Sequence, residues 1–276
     1  VRIDIAARSD AGNVREANED HYLVARTGRY LSTLLTNLPD GEVPARFDET
    51  GYVMVVADGM GGAVGGEVAS RMAISNLVNI VLHVPDWILR LDEERAQELT
   101  RRAGEYYRRV NEALIARVKD SPELTGMGST MTATCSMGSE LFLAHVGDSR
   151  AYLYREQMLQ RLTRDQTHAQ MLADAGVIRQ EEVATHRLRN VLTNALGGLG
   201  DEVKTEIQRC RLKDGDWVLL CTDGLTDMVG DELISSLLRQ SPDATTACEE
   251  LVNQALENGG RDNVTVVVAR YFIPEG

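Results

Sequence analysis

The sequence predicts an α+β sandwich, on three observations. Short runs rich in β-branched and aromatic residues recur along all 276 residues. Several are joined by links too short for a parallel crossover, so their neighbours must be antiparallel. Long helical stretches are inserted between blocks of strands instead of following each strand, which argues against a doubly wound sheet. With 43% apolar residues the chain can bury a sizeable core. No repeat, low-complexity tract or proline-rich linker divides it, so residues 1–276 read as one domain.

Strands are expected at Ile3–Arg8, Tyr22–Arg26, Tyr52–Ala57, Thr130–Ser136, Leu141–Val146, Ala151–Tyr154, Lys204–Gln208, Trp217–Thr222 and Val264–Arg270, each bounded by glycine or charge. Met137-Gly138-Ser139-Glu140 has the composition of a hairpin turn. Helices show the other period. Val68, Met72, Leu77 and Ile80–Val81 line one side of a segment that starts near Val64. Leu99, Ala103, Tyr106–Tyr107, Val110, Ala113–Leu114 and Val118 line a second, and Ala247, Leu251–Val252 and Ala255–Leu256 a third, stopped by Asn258-Gly259-Gly260. Two stretches look inserted, Leu31–Thr50 and roughly Asp165–Gly200.

Forty-two acidic against 29 basic side chains give a net charge of −13, which argues against general affinity for nucleic acid or anionic membrane. The most apolar long stretch, Ala73–Leu89, is broken by Asn76, Asn79, His83, Pro85 and Asp86, so no membrane insertion is expected. Cys135, Cys210, Cys221 and Cys248 show no close pairing and read as reduced thiols of a cytoplasmic protein. Nothing near Val1 resembles a basic start followed by an apolar run, and the first residue is not methionine; a cytosolic domain of a longer protein is one expectation.

The chemistry concentrates in aspartates at the ends of apolar runs. Asp58, Asp148 and Asp223 follow expected strands, whereas Asp20 and Asp262 precede theirs. In antiparallel packing the end of one strand lies beside the start of its neighbour, so all five could gather at one rim. Carboxylates crowded there are costly unless cations neutralise them. Aspartates with few histidines and no Cys-x-x-Cys suit Mg2+ or Mn2+ better than zinc. Bound cations would also offset the repulsion between an acidic protein and a phosphorylated substrate. The glycine-rich stretch Asp58-Gly59-Met60-Gly61-Gly62-Ala63-Val64-Gly65-Gly66-Glu67 lets backbone approach a ligand, but it lacks the endings of either nucleotide-binding fingerprint.

Six segments then appear in order: Ser9-Asp10-Ala11-Gly12 with Val14-Arg15-Glu16-Ala17-Asn18-Glu19-Asp20; Asp58-Gly59-Met60-Gly61-Gly62; Gly128-Ser129-Thr130; Val146-Gly147-Asp148-Ser149-Arg150-Ala151-Tyr152; Cys221-Thr222-Asp223-Gly224-Leu225; and Gly260-Arg261-Asp262-Asn263-Val264-Thr265. Together they resemble the metal-dependent Ser/Thr protein phosphatases of the PPM (type 2C) family, bacterial type, over almost the whole chain.

The resemblance implies a four-layer α-β-β-α sandwich with two mainly antiparallel sheets. It implies hydrolysis of phosphoserine and phosphothreonine in proteins by a metal-bridging hydroxide, in opposition to Ser/Thr kinases. Asp58 would bridge two ions, Asp223 and Asp262 would complete one, and the Gly59 carbonyl would touch the other. Glu19 and Asp20 would act through metal-bound water, and Asp148 with Asp223 would hold a weaker third ion. Arg15 would clamp the phosphate, since a planar guanidinium can bind two phosphoryl oxygens at once; a pairing with Glu19 or Asp20 is its plain alternative. The implied partners are Ser/Thr-phosphorylated proteins, kinases among them, with monomer as the default state. A phosphatase dedicated to one bacterial regulator and an inactive scaffold of the same fold remain as alternatives.

The resemblance also exposes a gap. Met60 stands where many eukaryotic relatives carry histidine, and a thioether cannot donate a proton to the leaving alkoxide. Among the histidines, His145 reads as a core residue, His21 borders the first acidic motif, and His168 is a candidate displaced donor. Cys221 reads as core. The inserted stretch from Thr167 to about Leu196 corresponds to the family's flap, and its Arg179, His186, Arg187 and Arg189 make it locally basic. Arg187 and Arg189 are expected to help select phosphoproteins.

Overall fold

A computed structural model describes residues 1–39, 41–83, 93–198 and 202–274. Its strands are β1 (Arg2–Asp10), β2 (Asp20–Ser32), β3 (Arg46–Met60), β4 (Gly128–Ser129), β5 (Met131–Met137), β6 (Glu140–Val146), β7 (Arg150–Arg155), β8 (Met158–Arg161), β9 (Glu206–Arg211), β10 (Trp217–Cys221) and β11 (Val264–Phe272). Its α-helices are α1 (Gly62–Leu82), α2 (Glu93–Asp120), α3 (His168–Asp174), α4 (Asp223–Thr226), α5 (Asp231–Gln240) and α6 (Ala244–Glu257). The strands form a five-stranded sheet ordered β1-β11-β10-β7-β8 and a six-stranded path that includes β2-β3-β5-β6-β9, with β4 beside β3. Every pairing is antiparallel.

Three apolar layers hold four structural ones. Between the sheets lie Met54, Val56, Leu141, Leu143, Leu220 and Val267 with their neighbours. Alternate residues of the same strands face outward: Val55 and Ala57 meet Ala69, Ala73, Leu77, Tyr107, Val110 and Leu114 of α1 and α2. On the opposite side Leu219, Val266 and Val268 meet Ile234 and Leu238 of α5 and Leu251, Val252 and Ala255 of α6. The period of two in each strand serves two cores at once, which is why β10 and β11 read as nearly continuous apolar runs.

The helices are secured locally as well. Asp243 accepts the Thr246 N–H at 2.8 Å and caps α6, and positive φ at Gly259 and Gly260 turns the chain off its end towards β11. Arg108–Glu112 and Arg102–Glu98 pair one turn apart on α2.

All nine expected strands and all three expected helices are present. The hairpin turn is confirmed by the pairing of Met137 with Glu140. The Leu31–Thr50 stretch is less of an insertion than expected, because β2 and β3 continue into it and pair as far as Ser32 with Arg46. Residues 84–89 of the apolar stretch and 199–200 of the flap lie outside the described residues. No helix among the described residues is long and apolar enough to cross a membrane.

Candidate functional site

The strand register delivers the five aspartates to one end of the sandwich. Asp20 and Asp58 are direct Cα partners across β2 and β3. On the other sheet, β10 ends at Cys221 between Val266 and Arg150. Asp223 opens α4 two residues later, and Asp262 lies two residues before β11. Asp148 sits in the corner where the chain leaves one sheet at Val146 and enters the other at Arg150. Gly147 makes that corner at φ +108, where a Cβ would stand 2.5 Å from the Thr130 side chain.

Hydroxyl groups fix these positions. Thr130 Oγ1 accepts the Asp58 N–H at 3.0 Å and lies 2.8 Å from Ser149 Oγ, tying Asp58 to the Asp148 corner. The Asp58 carbonyl accepts the Thr130 N–H at 2.9 Å and the Ser129 hydroxyl at 3.0 Å. Across the sheets, Thr222 Oγ1 donates to Asp20 Oδ2 at 2.8 Å and accepts the Thr265 N–H at 3.0 Å.

The cluster is electrostatically strained. Burial pushes the Asp58 carboxyl well above the usual range, and the charges of Asp20, Asp223, Asp148 and Asp262 push it further. Burial, then Asp223 and Asp165, raise Asp148 against the pull of Arg150. Asp20 is pushed up to about 7 by burial, partly offset by hydrogen bonds from threonine. Asp223 rises to about 7 through burial, then the charges of Asp227 and Asp262. Asp20 Oδ1 is buried without any hydrogen-bond partner, an expensive arrangement for a carboxylate.

Among the described residues no group of three or more His, Cys, Asp or Glu side chains is placed so that it could hold a metal ion as it stands. The donor set nevertheless fits hard divalent cations: every donor is oxygen, one buried donor atom is unpartnered, and added positive charge would relieve the repulsion.

Close backbone packing shapes the rim. A Cβ at Gly59 would lie 2.0 Å from the Gly66 carbonyl oxygen, and one at Gly66 would lie 2.6 Å from the Glu19 carboxylate, so α1 seats directly on β3 and Glu19. Ser70 Oγ donates to the Glu19 carbonyl at 2.5 Å and lies 2.9 Å from His21 Nδ1. His21 therefore braces the acidic loop from behind. Burial also raises Glu19, opposed by the charge of Arg15.

Arg15 differs from its expected alternative. Its Nη2 donates to Asp262 Oδ2 at 2.6 Å; neither Glu19 nor Asp20 is its partner. Asp262 lies closer because Asn263 draws the 11–19 loop onto the start of β11. Asn263 Oδ1 accepts the Glu19 N–H at 2.8 Å, and Nδ2 donates to the carbonyls of Ala17 at 2.9 Å and Ala11 at 3.0 Å. Asn263, Thr222 and Ser70 carry no motif of their own; a carboxamide after Asp262 and a hydroxyl before Asp223 are the only signals in the sequence.

His145 is fully buried between Thr132 Oγ1 at 2.8 Å and the Arg164 carbonyl at 3.3 Å, as expected of a core residue. His168 heads α3, where its N–H donates to the Val191 carbonyl, and among the described residues it hydrogen-bonds to none of the five aspartates. Met60 packs beside Gly128 of β4, where a Cβ would meet its methyl at 2.7 Å. Burial pushes the Cys221 thiol up to about 12, as suits a core thiol and no nucleophile.

The flap folds as α3 followed by a 3-10 turn at Gln180–Thr185. It returns to the site through paired backbone bonds between Leu196 and Ser129, both 2.9 Å. Arg189 Nη2 and Asn190 Nδ2 both donate to Asp227 Oδ2, at 3.3 and 3.1 Å. Arg187 is exposed and has no ion-pair partner among the described residues.

A family model described as protein phosphatase 2C matches residues 43–259. The chain belongs to that family. Among protein phosphatase 2C relatives, the Ser/Thr phosphatase PstP of Mycobacterium tuberculosis is 38% identical over 96% of this chain, which spans 44% of the length of PstP. The Ser/Thr phosphatase Stp of Listeria monocytogenes is 30% identical over 95% of this chain and 93% of its own length. A crystal structure of the PstP catalytic domain in complex with two manganese ions superposes with a TM-score of 0.74 at 36% identity, covering 97% of each chain. The protein phosphatase 2C fold is thus the α+β sandwich described above.

Proposed function

We propose that the chain hydrolyses phosphoserine and phosphothreonine in proteins, opposing Ser/Thr kinases, as a single catalytic domain. The observation that carries this reading is the meeting of five buried or half-buried aspartates from both sheets beside the Arg15 guanidinium. Asp58, facing Asp20 and central to the mutual repulsion, would be the residue common to two divalent cations, Mn2+ or Mg2+. Asp223 and Asp262 would hold one ion with it, and the Gly59 carbonyl would serve the other. Glu19 and Asp20 would act through water, and Asp148 with Asp223 would take a weaker third ion. Bound cations would neutralise the carboxylates and phosphoryl oxygens and acidify the attacking water.

The chain's own residues supply binding and orientation. Arg15, on the rim, presents a fork that a phosphoryl group can engage in place of Asp262. Thr130 and Thr222 hold Asp58 and Asp20 in register across the two sheets. Met60 donates no proton, so the leaving alkoxide must be protonated from elsewhere. The substrates are Ser/Thr-phosphorylated proteins, and the chain acts as a monomeric cytoplasmic domain, free or within a longer protein.

The test is hydrolysis of p-nitrophenyl phosphate and a phosphothreonine peptide with Mn2+, Mg2+ or chelator, beside Asp223→Asn. Turnover is expected only with metal and only in the unaltered chain. Turnover that persists in chelator, or in the variant at the wild-type rate, overturns the reading.

A further inference from the structure

We propose that Asp227 is a positioning residue that docks the flap onto the helix opened by Asp223, dividing Arg187 and Arg189 between different jobs. Asp227 caps the end of α4, and its N–H donates to the Asp223 carbonyl at 2.7 Å. Its Oδ2 receives both Arg189 and Asn190. Among the described residues, nothing else between 168 and 192 hydrogen-bonds to a residue outside 164–198. By hydrogen bonds, the 168–192 segment is therefore tied to the rest of the protein through that one carboxylate, a single helical turn from a proposed metal ligand.

Charge bookkeeping within the flap gives the division. Arg179 pairs with Glu182 and Arg189 with Asp227. Arg187, two residues away, is left without an ion pair among the described residues and is exposed. Arg189 thus orients the segment, and Arg187 is the cation it presents to a phosphoprotein. The pair is partly exposed, with 39% and 28% of the two side chains accessible, so it acts as a reversible dock and adds little to global stability. The Asp227 charge also reaches Asp223, one helical turn away, and raises its pKa in this paired arrangement.

The substrate-selection part rests on the phosphatase reading; the docking part does not, and two readouts separate them. Hydrogen exchange is measured first, in the wild type and Asp227→Asn. Amides 186–192 are expected to exchange about fivefold faster in the variant, equivalent to about 1 kcal/mol at 1.4 kcal/mol per tenfold, while those of β10 and β11 stay unchanged. Unchanged exchange at 186–192 overturns the dock, whether or not the protein turns over any substrate.

Kinetics then follow for Asp227→Asn, Arg189→Gln and the exchanged pair Arg189→Asp with Asp227→Arg. Each single variant should raise KM for a phosphothreonine peptide about fivefold and move KM for p-nitrophenyl phosphate less than twofold. The exchanged pair should recover the peptide KM to within twofold of wild type. An exchanged pair as impaired as the single variants, or equal effects on both substrates, overturns the positioning role.

Discussion

Arg15 Nη2 lies 2.6 Å from Asp262 Oδ2, so the expected phosphate clamp and an expected metal ligand hold each other. Both side chains are accessible, 53% and 36%, and an ion pair of that exposure contributes no more than about 1 kcal/mol to stability. Exchanging Asp262 for another anion at Arg15 would therefore cost the fold little.

Arg15→Lys keeps the charge and loses the fork. It should lower kcat/KM for a phosphothreonine peptide by about 10-fold to 100-fold, the loss of roughly 1.4 to 2.8 kcal/mol. Its Tm should move by less than about 4 °C. Thermal melts and steady-state kinetics on the same preparation check both. Wild-type kcat/KM in this variant would remove Arg15 from phosphate binding.

Asn263→Ala removes three hydrogen bonds that hold the 11–19 loop. At about 1 kcal/mol each, the cost should be about 3 kcal/mol in denaturant unfolding, with Mn2+ binding weakened because Glu19 and Asp262 lose their mutual placement. Titration calorimetry of Mn2+ against the variant tests the second effect. Stability and metal affinity both at the wild-type level would leave the staple without consequence.

Two glycines separate stability from site geometry. At Gly224 a Cβ would meet the Asn263 carbonyl oxygen at 1.9 Å, a backbone atom that cannot yield, so Gly224→Ala should cost about 2–3 kcal/mol or more. At Gly66 the obstacle is the end of the Glu19 side chain at 2.6 Å, while alanine gains up to about 1 kcal/mol of helix propensity. Gly66→Ala should melt within a few degrees of wild type yet bind Mn2+ more weakly. A comparable Tm loss in the two variants would contradict this reading of the packing.

Asp20 and Asp223 are both pushed up to about 7 by burial. An aspartate whose folded pKa exceeds its unfolded value of about 3.9 holds its proton more tightly when folded. Its stabilising contribution is complete at low pH and is lost as pH rises through the folded pKa. In chelator, these groups should make Tm fall between about pH 4 and 7. With saturating Mn2+ the trend should reverse, because metal requires the deprotonated carboxylates. Asp58→Asn should flatten the decline in chelator by removing one of the repelling charges. A chelator profile that rises over this window in the wild type and is untouched by Asp58→Asn would refute the strained cluster.

The fold was legible wherever burial imposed a long pattern. β10 and β11 face apolar layers on both sides, so their sequences could hardly be read otherwise. β4 is two residues long and α4 four, too short for any period to show. In α5 only Ile234 and Leu238 are buried, and a two-residue stripe does not announce a helix. The aspartates were legible because strand ends carry their own punctuation. The partner of Arg15 was not, since it depends on where Asn263 pulls a loop 244 to 252 residues distant in sequence. Arg187 and Arg189 looked alike as letters; only the position of Asp227 tells them apart.

The five aspartates come from both sheets, with Asp20 opening β2, Asp58 near the end of β3 and Asp148 just past β6, and Asp223 following β10 and Asp262 preceding β11. The centre is therefore a vernier on the seam between two slabs. Sliding one slab past the other by a single residue, about 3.3 Å, would keep each ladder intact yet leave the carboxylates facing the wrong neighbours. Side chains such as Val56, Leu220 and Val267, which fill the layer between the sheets, thereby set the alignment of the carboxylates. Conservative repacking of that seam should yield proteins that melt like the original and bind their metal poorly.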